Sequence, residues 1–183
     1  MASPALGDDN FHRTVVLVLE HGAEGAVGVV LNRPSHTQLE QIAAPLAPLA
    51  AAPGLVHVGG PVPPAAAICL GRMREGVEGR GAAGAEGRGA SHLFGRVASV
   101  DLDVPAEELS GLVDRIRLFA GYAGWGAGQL DAEMEQGAWF AVKRTDDDAL
   151  CPEPTGLWHA VLRRQRRQSL AILASYPDDL STN

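Results

Sequence analysis

The stretch TVVLVLEHGAEGAVGVVLN, residues 14–32, contains two runs of mostly β-branched and apolar residues on either side of a glycine-flanked segment. The runs cover residues 14–20 and 26–32, and the segment GAEG covers residues 22–25. Such a pair of runs is typical of a β-hairpin with a loop of about four or five residues. Neither run alternates polar with apolar residues, so both faces of both strands should be covered. The sequence therefore predicts two central strands of a sheet.

Weaker signals after the hairpin predict a helix, two strands and a loop. In RPSHTQLEQIA, residues 33–43, Ser35 or Thr37 can serve as the N-cap of a short helix. The stretches GLVHV and AAAICLG, residues 54–58 and 65–71, are predicted strands. Residues 72–92 mix Gly, Arg, Glu and Ala without an apolar period, which predicts a flexible surface loop.

The second half of the chain is also predicted to contain both helices and strands. Pro105, with two glutamates in the following turn, predicts a helix that ends near Val113. In DRIRLFAGY, residues 114–122, Arg115 and Arg117 alternate with apolar residues, which predicts a strand with one solvent-exposed face. A strand is expected over residues 138–144 and a long helix over residues 156–175. This irregular order predicts an α+β fold.

Composition limits the possible classes of protein. The chain has 183 residues, 46% of them apolar, which fits one globular domain over residues 1–183. Its formal net charge of −7 disfavours direct binding to nucleic acid. Cys69 and Cys151 form neither a zinc motif nor a disulfide framework. The amino terminus has no secretory signal pattern, and prolines interrupt the longest apolar run, so we expect a cytoplasmic protein without a membrane span.

Clusters of functional residue types have simple structural interpretations. Four arginines near the carboxyl terminus would fall within an arc of about 160° on one helix, which favours a solvated basic face over a phosphate-binding or nucleic-acid-binding face. These are Arg163, Arg164, Arg166 and Arg167. None of the six histidines has metal-ligand spacing, and no nucleophile motif is present. We therefore predict no metal, no cofactor and no catalytic residue.

The glycine-rich stretch GYAGWGAGQLDAE, residues 121–133, invites comparison with a phosphate-binding loop. It lies between a predicted strand and a predicted helix, as such loops do. However, it lacks the GK[ST] ending, and the rings of Tyr122 and Trp125 would crowd a pyrophosphate. Glycines between aromatic residues favour close backbone packing. We interpret the stretch as architecture, with a small acidic ligand at the helix start as the alternative.

Four short motifs stand out along the chain: DxxFxR at residues 8–13, NRP at 32–34, GGPV at 59–62 and GYAGW at 121–125, with Gln129, Asp131, Glu133 and Trp139 beyond them. With these motifs the sequence resembles the AlgH/YqgE family of bacterial proteins, and the resemblance covers nearly the whole chain. It implies a single α+β domain with a bent, partly barrel-like sheet, mixed or antiparallel, surrounded by helices. It implies no established catalytic activity. Members carry the label of transcriptional regulator, and we expect that role to be indirect.

Two hypotheses about function follow, besides the alternative of nucleic-acid binding through the carboxy-terminal arginine face. In the first, the protein binds an unidentified protein or small molecule at the strand-end turns, where eight residues are expected to converge. These are Asn32, Arg33, Gly59, Gly60, Gly121, Tyr122, Trp125 and Gln129. In the second, the protein is a hydrolase or transferase in which Glu20, His21 or Glu133 lines a cleft. The alternative to both is that the turns are only well-packed corners.

The start of the chain differs from the resembled family, whose members have a short apolar strand ahead of the segment that matches residues 2–11. Met1 falls where that strand would end. The strands at residues 14–20 and 26–32 need neighbours on both edges. We therefore expect an internal start, with another segment over that edge as the alternative.

Overall fold

A computed structural model describes residues 1–4, 6–63, 67–77 and 89–165. Most of the loop predicted at residues 72–92 lies outside the described residues, as do Arg166, Arg167 and the remainder of the predicted terminal helix. The described strands are β1 Val16–Gly22, β2 Gly25–Val30, β3 Pro34–Gln38, β4 Leu55–Val58, β5 Ile68–Met73, β6 Ala90–Phe94, β7 Val97–Val100, β8 Val113–Ala120 and β9 Ala123–Gly126. The described α-helices are α1 Leu39–Ile42, α2 Ala106–Leu112, α3 Gln129–Glu135 and α4 Leu157–Arg163.

The predicted hairpin is present and forms part of a three-stranded sheet with the order β1-β2-β9. Gly22 pairs with Gly25, so the connecting turn has two residues and is shorter than predicted. β2 lies in the middle of the sheet, but β1 lies at its edge, and Val18 on β1 is 41% exposed. The prediction that both strands are central is therefore wrong for β1, because strand order depends on long-range pairing and not on the local apolar pattern.

The other six strands form a mixed sheet, as the resemblance implies. Their order is β3-β4-β8-β5-β7-β6; β4 and β8 run parallel and the other pairs are antiparallel. β8 continues through Gly121 into β9, so one chain segment passes from the six-stranded sheet into the three-stranded sheet. Among the described strands, neither sheet closes into a barrel.

The six-stranded sheet is covered on both faces. Alternate residues of the paired strands β5 and β8 point to opposite faces. Leu70 and Phe119 contact the core cluster that includes Trp158 and Val161 of α4. Cys69 and Leu118 contact the cluster that includes Leu109 of α2. The aromatic residues around Trp125 and Trp139 form a third cluster under β9 and α3.

Several predicted elements begin or end elsewhere. Residues 34–38 form β3 by pairing with β4, so α1 starts only after Gln38. The main-chain N–H of Gln38 donates a hydrogen bond to the side chain of Gln41. Gln38 is therefore the N-cap, and the prediction of Ser35 or Thr37 is wrong. The strand expected over residues 138–144 is reduced to a single bridge between Trp139 and Ala2. α4 ends at Arg163, short of the predicted end at Ser175, and residues at both ends of the predicted 72–92 loop belong to β5 and β6.

Candidate functional site

The GGPV and GYAGW motifs meet in a close contact between main chains. A Cβ atom added at Gly59 would lie 2.2 Å from the carbonyl oxygen of Gly121, and one added at Gly60 would lie 2.2 Å from the carbonyl carbon of Tyr122. Main-chain hydrogen bonds in both directions between Val62 and Tyr122, each 3.1 Å long, hold the contact. Only glycine fits at Gly59 and Gly60, so these glycines hold two strand ends together.

Asn32 and Arg33 bind the loop that carries the DxxFxR motif. The side chain of Asn32 accepts a hydrogen bond from the Val15 N–H at 2.8 Å and donates to the Arg13 carbonyl at 2.9 Å. The Arg33 guanidinium donates to the Asp9 carbonyl at 2.8 Å. Arg13 has a φ of 52°, a left-handed conformation that costs of order 1–3 kcal/mol in a residue with a side chain. The polar groups predicted to hold a ligand thus bind the protein's own main chain.

Glu133 is the centre of a hydrogen-bonded aromatic cluster. Its carboxylate accepts hydrogen bonds from the indole N–H groups of Trp125, at 3.0 Å, and Trp139, at 2.7 Å. The side chain of Gln129 donates to the same carboxylate at 2.8 Å. The Phe11 ring packs against both indoles, with centroids 6.1 Å and 5.2 Å away. The cluster fastens α3 to β9. The sequence signal for this cluster was the placement of Trp125 and Trp139 on either side of Glu133.

The eight predicted residues therefore divide into two groups. Six lie at the strand-end corner, where Val30 donates to the Gly59 carbonyl and Val58 donates to the Arg33 carbonyl, each at 2.8 Å. Trp125 and Gln129 belong to the cluster around Glu133. The glycine motif is packed as architecture, in agreement with the interpretation of its sequence.

A cavity of about 580 Å³ lies between β1 and the segment that precedes the Thr145 turn. Residues 15–19 form one wall and residues 139–145 the other. Apolar side chains that include Leu31, Leu93 and Phe94 complete the lining, and Trp125 is the one member of the eight predicted residues that reaches it. Sequence reasoning missed this cavity, because it depends on β1 being an edge strand.

One end of the cavity is basic. Lys143, Arg144 and Arg164 line it, together with the carboxylate of Asp148. Arg164 binds both carboxylate oxygens of Asp148, and the Arg144 guanidinium lies 3.8 Å from the centroid of the Phe94 ring. Arg163 and Arg164 are both exposed, and Arg164 is in addition paired with Asp148.

The main-chain edge of β1 faces the cavity. The Val15 carbonyl accepts a hydrogen bond from the Leu31 N–H and therefore points toward β2. The Thr14 carbonyl points to the opposite side, where it accepts a hydrogen bond from the Ala2 N–H at 2.9 Å. Successive residues of a strand alternate in direction, so the N–H and C=O groups of Val16 and Val18 point the same way as Thr14. No described residue bonds these groups from that side. Met1 lines the cavity and exchanges two main-chain hydrogen bonds with Phe140, each 2.8 Å long.

A buried polar pair lies elsewhere, at the boundary of β4 and β8. Burial and the charge of Arg117 lower the pKa of His57 to about 4, and the neutral ring bonds the Leu55 carbonyl through Nδ1 at 3.1 Å. Arg117 is 2% exposed, and burial lowers its pKa to about 10. Its predicted position on a solvent-exposed face is wrong, since its guanidinium donates to the carbonyls of Ala52, Ala149 and Cys151.

The residues proposed for an enzyme are dispersed. His21 lies 3.2 Å from Asp131 at the surface, Glu20 is exposed, and Glu133 is held by the two indoles. None of the three lines the cavity. Across the described residues, no three His, Cys, Asp or Glu side chains are grouped to hold a metal ion. Nor does that part of the chain contain a helix long and apolar enough to cross a bilayer.

Comparison with known proteins gives relatives over the full length. A UPF0301 protein of Streptomyces avermitilis is 45% identical over 183 residues, which is all of this chain and 92% of the relative. The crystal structure of DIP2367 from Corynebacterium diphtheriae aligns with a TM-score of 0.85 and 29% identity, covering 96% of this chain and 88% of that one.

The solution structure of AlgH from Pseudomonas aeruginosa aligns with a TM-score of 0.65 and 27% identity, covering 98% of this chain and 92% of that one. The family model described as AlgH-like, DUF179, matches residues 1–169. The motifs, the paired sheets and these matches lead to one conclusion: the chain belongs to the AlgH-like family.

Proposed function

We propose that the protein is a cytoplasmic binding protein whose site is the cavity along β1. The main observation behind this proposal is that the cavity combines apolar walls with a basic end. It also runs along an edge of β1 where no described residue bonds the main chain of Val16 or Val18. Its volume of about 580 Å³ is within the range of roughly 300–1,000 Å³ that is typical of ligand sites. Any regulatory effect would then be indirect, through the bound partner.

The polar groups of the molecule support a binding role over catalysis. The perturbed side chains His57 and Arg117 lie in the core, and neither lines the cavity. The Met1 amino group does line it; burial lowers its pKa to about 5, and it donates a hydrogen bond to the Phe140 carbonyl. The carboxylate of Asp148 is neutralised by Arg164. General acid–base catalysis needs a titratable group within hydrogen-bonding distance of the reacting atom. The cavity walls instead offer apolar surface, which binds a ligand by removing that surface from water.

The strand-end corner is the other candidate site, and its contacts disfavour it. Asn32 and Arg33 already donate to main-chain carbonyls, and the glycines are in contact with opposing backbone. A ligand at this corner would have to displace those hydrogen bonds, each worth about 0.5–1.5 kcal/mol net. The cavity requires no such displacement.

Binding of an environment-sensitive anilinonaphthalene sulfonate probe tests the proposal. The probe should bind saturably, with increased fluorescence, because its rings match the apolar walls and its sulfonate matches the basic end. Ala141→Trp places a large ring in the cavity wall from an exposed position and should abolish the increase.

Ala132→Trp is the matched control, since Ala132 on α3 is also exposed but does not line the cavity. This variant should bind the probe like the unmodified chain. Equal binding by both variants, or no saturable binding by the unmodified chain, would refute the proposed site.

A further inference from the structure

We propose that Cys151 is a site of oxidation by hydroperoxides, at which the thiolate is converted to a sulfenic acid beside the Arg117 guanidinium. The site is independent of the cavity, because Cys151 is not among the residues that line it. Three features support it: a buried positive charge without a carboxylate partner, a partly exposed thiol next to that charge, and a guanidinium N–H that has no acceptor.

The charge of Arg117 is buried without a carboxylate beside it. The side chain is 2% exposed, and its guanidinium donates hydrogen bonds only to the main-chain carbonyls of Ala52, Ala149 and Cys151. Within the described part of the chain, the Cys151 thiolate is the one acidic group whose charge stabilises this guanidinium. A buried charge is unfavourable unless it is paired, so Arg117 favours an anion at its side.

Cys151 places a sulfur atom where that anion can form. The hydrogen bond from Arg117 Nη2 to the Cys151 carbonyl, 2.9 Å long, holds the two residues together. The thiol is half-buried against the main core cluster, so a small reagent can reach it from solvent. Because the thiolate is the nucleophilic form of cysteine, and a neighbouring cation favours the thiolate, this position favours reaction at sulfur.

The product of oxidation also has a partner at this position. The Nε–H of Arg117 is buried and has no hydrogen-bond acceptor. A buried donor without an acceptor is unfavourable. The oxygen that oxidation adds to the Cys151 sulfur is an acceptor beside the same guanidinium. The unpaired N–H therefore favours the oxidised form as well as the thiolate.

The reaction is a two-electron oxidation of sulfur. The thiolate attacks the terminal oxygen of the hydroperoxide, so that an S–O bond forms and the O–O bond breaks. The transferred oxygen keeps its hydrogen, which makes the product a sulfenic acid. The leaving group is hydroxide, or an alkoxide from an organic hydroperoxide, and it takes a proton from water. The sulfur is oxidised and the peroxide is reduced.

Cys69 is an internal control and cannot convert the product to a disulfide. Its thiol is 2% exposed, and burial raises its pKa to about 12. It belongs to the core cluster on the α2 side of the six-stranded sheet, whereas Cys151 packs against the cluster on the α4 side. A disulfide requires the two sulfur atoms to touch, and the sheet separates them. The sulfenic acid should therefore persist until an external thiol reduces it.

Trapping with a cyclic dione, followed by mass spectrometry, measures sulfenic acid formation when the full chain is treated with hydrogen peroxide at pH 7. The label should appear at Cys151 and not at Cys69, and dithiothreitol added before the dione should prevent it. The reference is the peptide acetyl-Ala-Leu-Cys-Pro-Glu-Pro amide, which has the sequence of residues 149–154. We expect Cys151 in the folded protein to react at least about fivefold faster than the peptide thiol. An equal or slower rate, or equal labelling of Cys69, would overturn the proposal.

Substitutions of Arg117 test the role of its charge. Arg117→Lys keeps a positive charge and should keep most of the rate, whereas Arg117→Met should react no faster than the peptide. Arg115→Met is the matched control, because Arg115 is exposed on the same strand, and its rate should equal that of the unmodified chain. Circular dichroism shows whether each variant is folded. A rate for Arg117→Met that matches or exceeds that of the unmodified chain would refute the role of the charge. If Arg117→Met does not fold, Arg117→Lys decides, since a rate at the level of the peptide contradicts the proposal.

Discussion

Replacing Arg117 with methionine should destabilise the protein more than any exposed arginine substitution. The Arg117 guanidinium is 2% exposed and donates to the carbonyls of Ala52, Ala149 and Cys151, which lie on two separate loops. Methionine has a similar length but no donor. The substitution would leave these carbonyls without their partner and would disconnect the loops from β8.

The magnitude depends on two opposing effects. A buried carbonyl left without a partner costs about 1–3 kcal/mol. Against this, the charged guanidinium is unfavourable in the core, as the lowering of its pKa to about 10 indicates. Because two loops lose their anchor at once, we expect the carbonyl cost to dominate, with a net loss of about 2–4 kcal/mol. For a chain of this length that corresponds to a decrease in Tm of roughly 4–16 °C.

Arg115→Met is the matched control, because Arg115 lies two residues away on the same strand and is exposed. It should change stability by less than about 0.5 kcal/mol. Urea unfolding followed by tryptophan fluorescence gives both values. If Arg117→Met is as stable as Arg115→Met, or more stable, desolvation of the guanidinium outweighs its hydrogen bonds and the anchoring role is refuted.

Three further substitutions test other parts of the structure. The pKa of His57 is about 4 in the folded protein, against 6.5 for an ordinary histidine. Between these pH values the unfolded chain binds more protons than the folded one. The free energy of unfolding should therefore fall by of order 3 kcal/mol as the pH drops from 6.5 to 4. His57→Asn should reduce this slope in urea titrations at several pH values; an unchanged slope contradicts the assignment. Glu133→Gln should cost about 1–3 kcal/mol and shift tryptophan emission, whereas the exposed Glu135→Gln should do neither. Gly60→Ala should lower the free energy of unfolding by more than about 2 kcal/mol, because the new Cβ would overlap the opposing backbone. Gly7→Ala is the control and should be neutral in thermal melts, because the space around Gly7 is open. Equal effects of the two substitutions would refute the close contact.

Local patterns predicted the elements whose structure depends on neighbours in sequence. The hairpin between β1 and β2, the strand β4, and the helix that follows Pro105 all form close to their predicted bounds. Each of these carries its signal in adjacent residues: glycines at a turn, an apolar run, or acidic residues in a first turn. The AlgH-like family was also predicted, because its motifs are contiguous in sequence.

Properties that depend on distant segments were not predictable in the same way. Arg115 and Arg117 are two residues apart and share one face of β8, yet one is exposed and the other is buried, because loops from residues 52 and 149–151 cover only Arg117. No periodicity in β8 contains that information. Glu133 drew attention as a candidate acid or base, whereas its contacts are with two indoles that reach it from separate segments.

The glycine corner and the cavity are mechanically connected through β2. β2 is hydrogen-bonded to β1 on one edge and to β9 on the other. β9 begins at the residue after Tyr122, whose main chain contacts Gly60. That contact therefore fixes β9, which fixes β2, and β2 sets the position of β1. The glycine motifs that first suggested a ligand loop have a different role here, because they hold the sheet whose strand β1 lines the cavity.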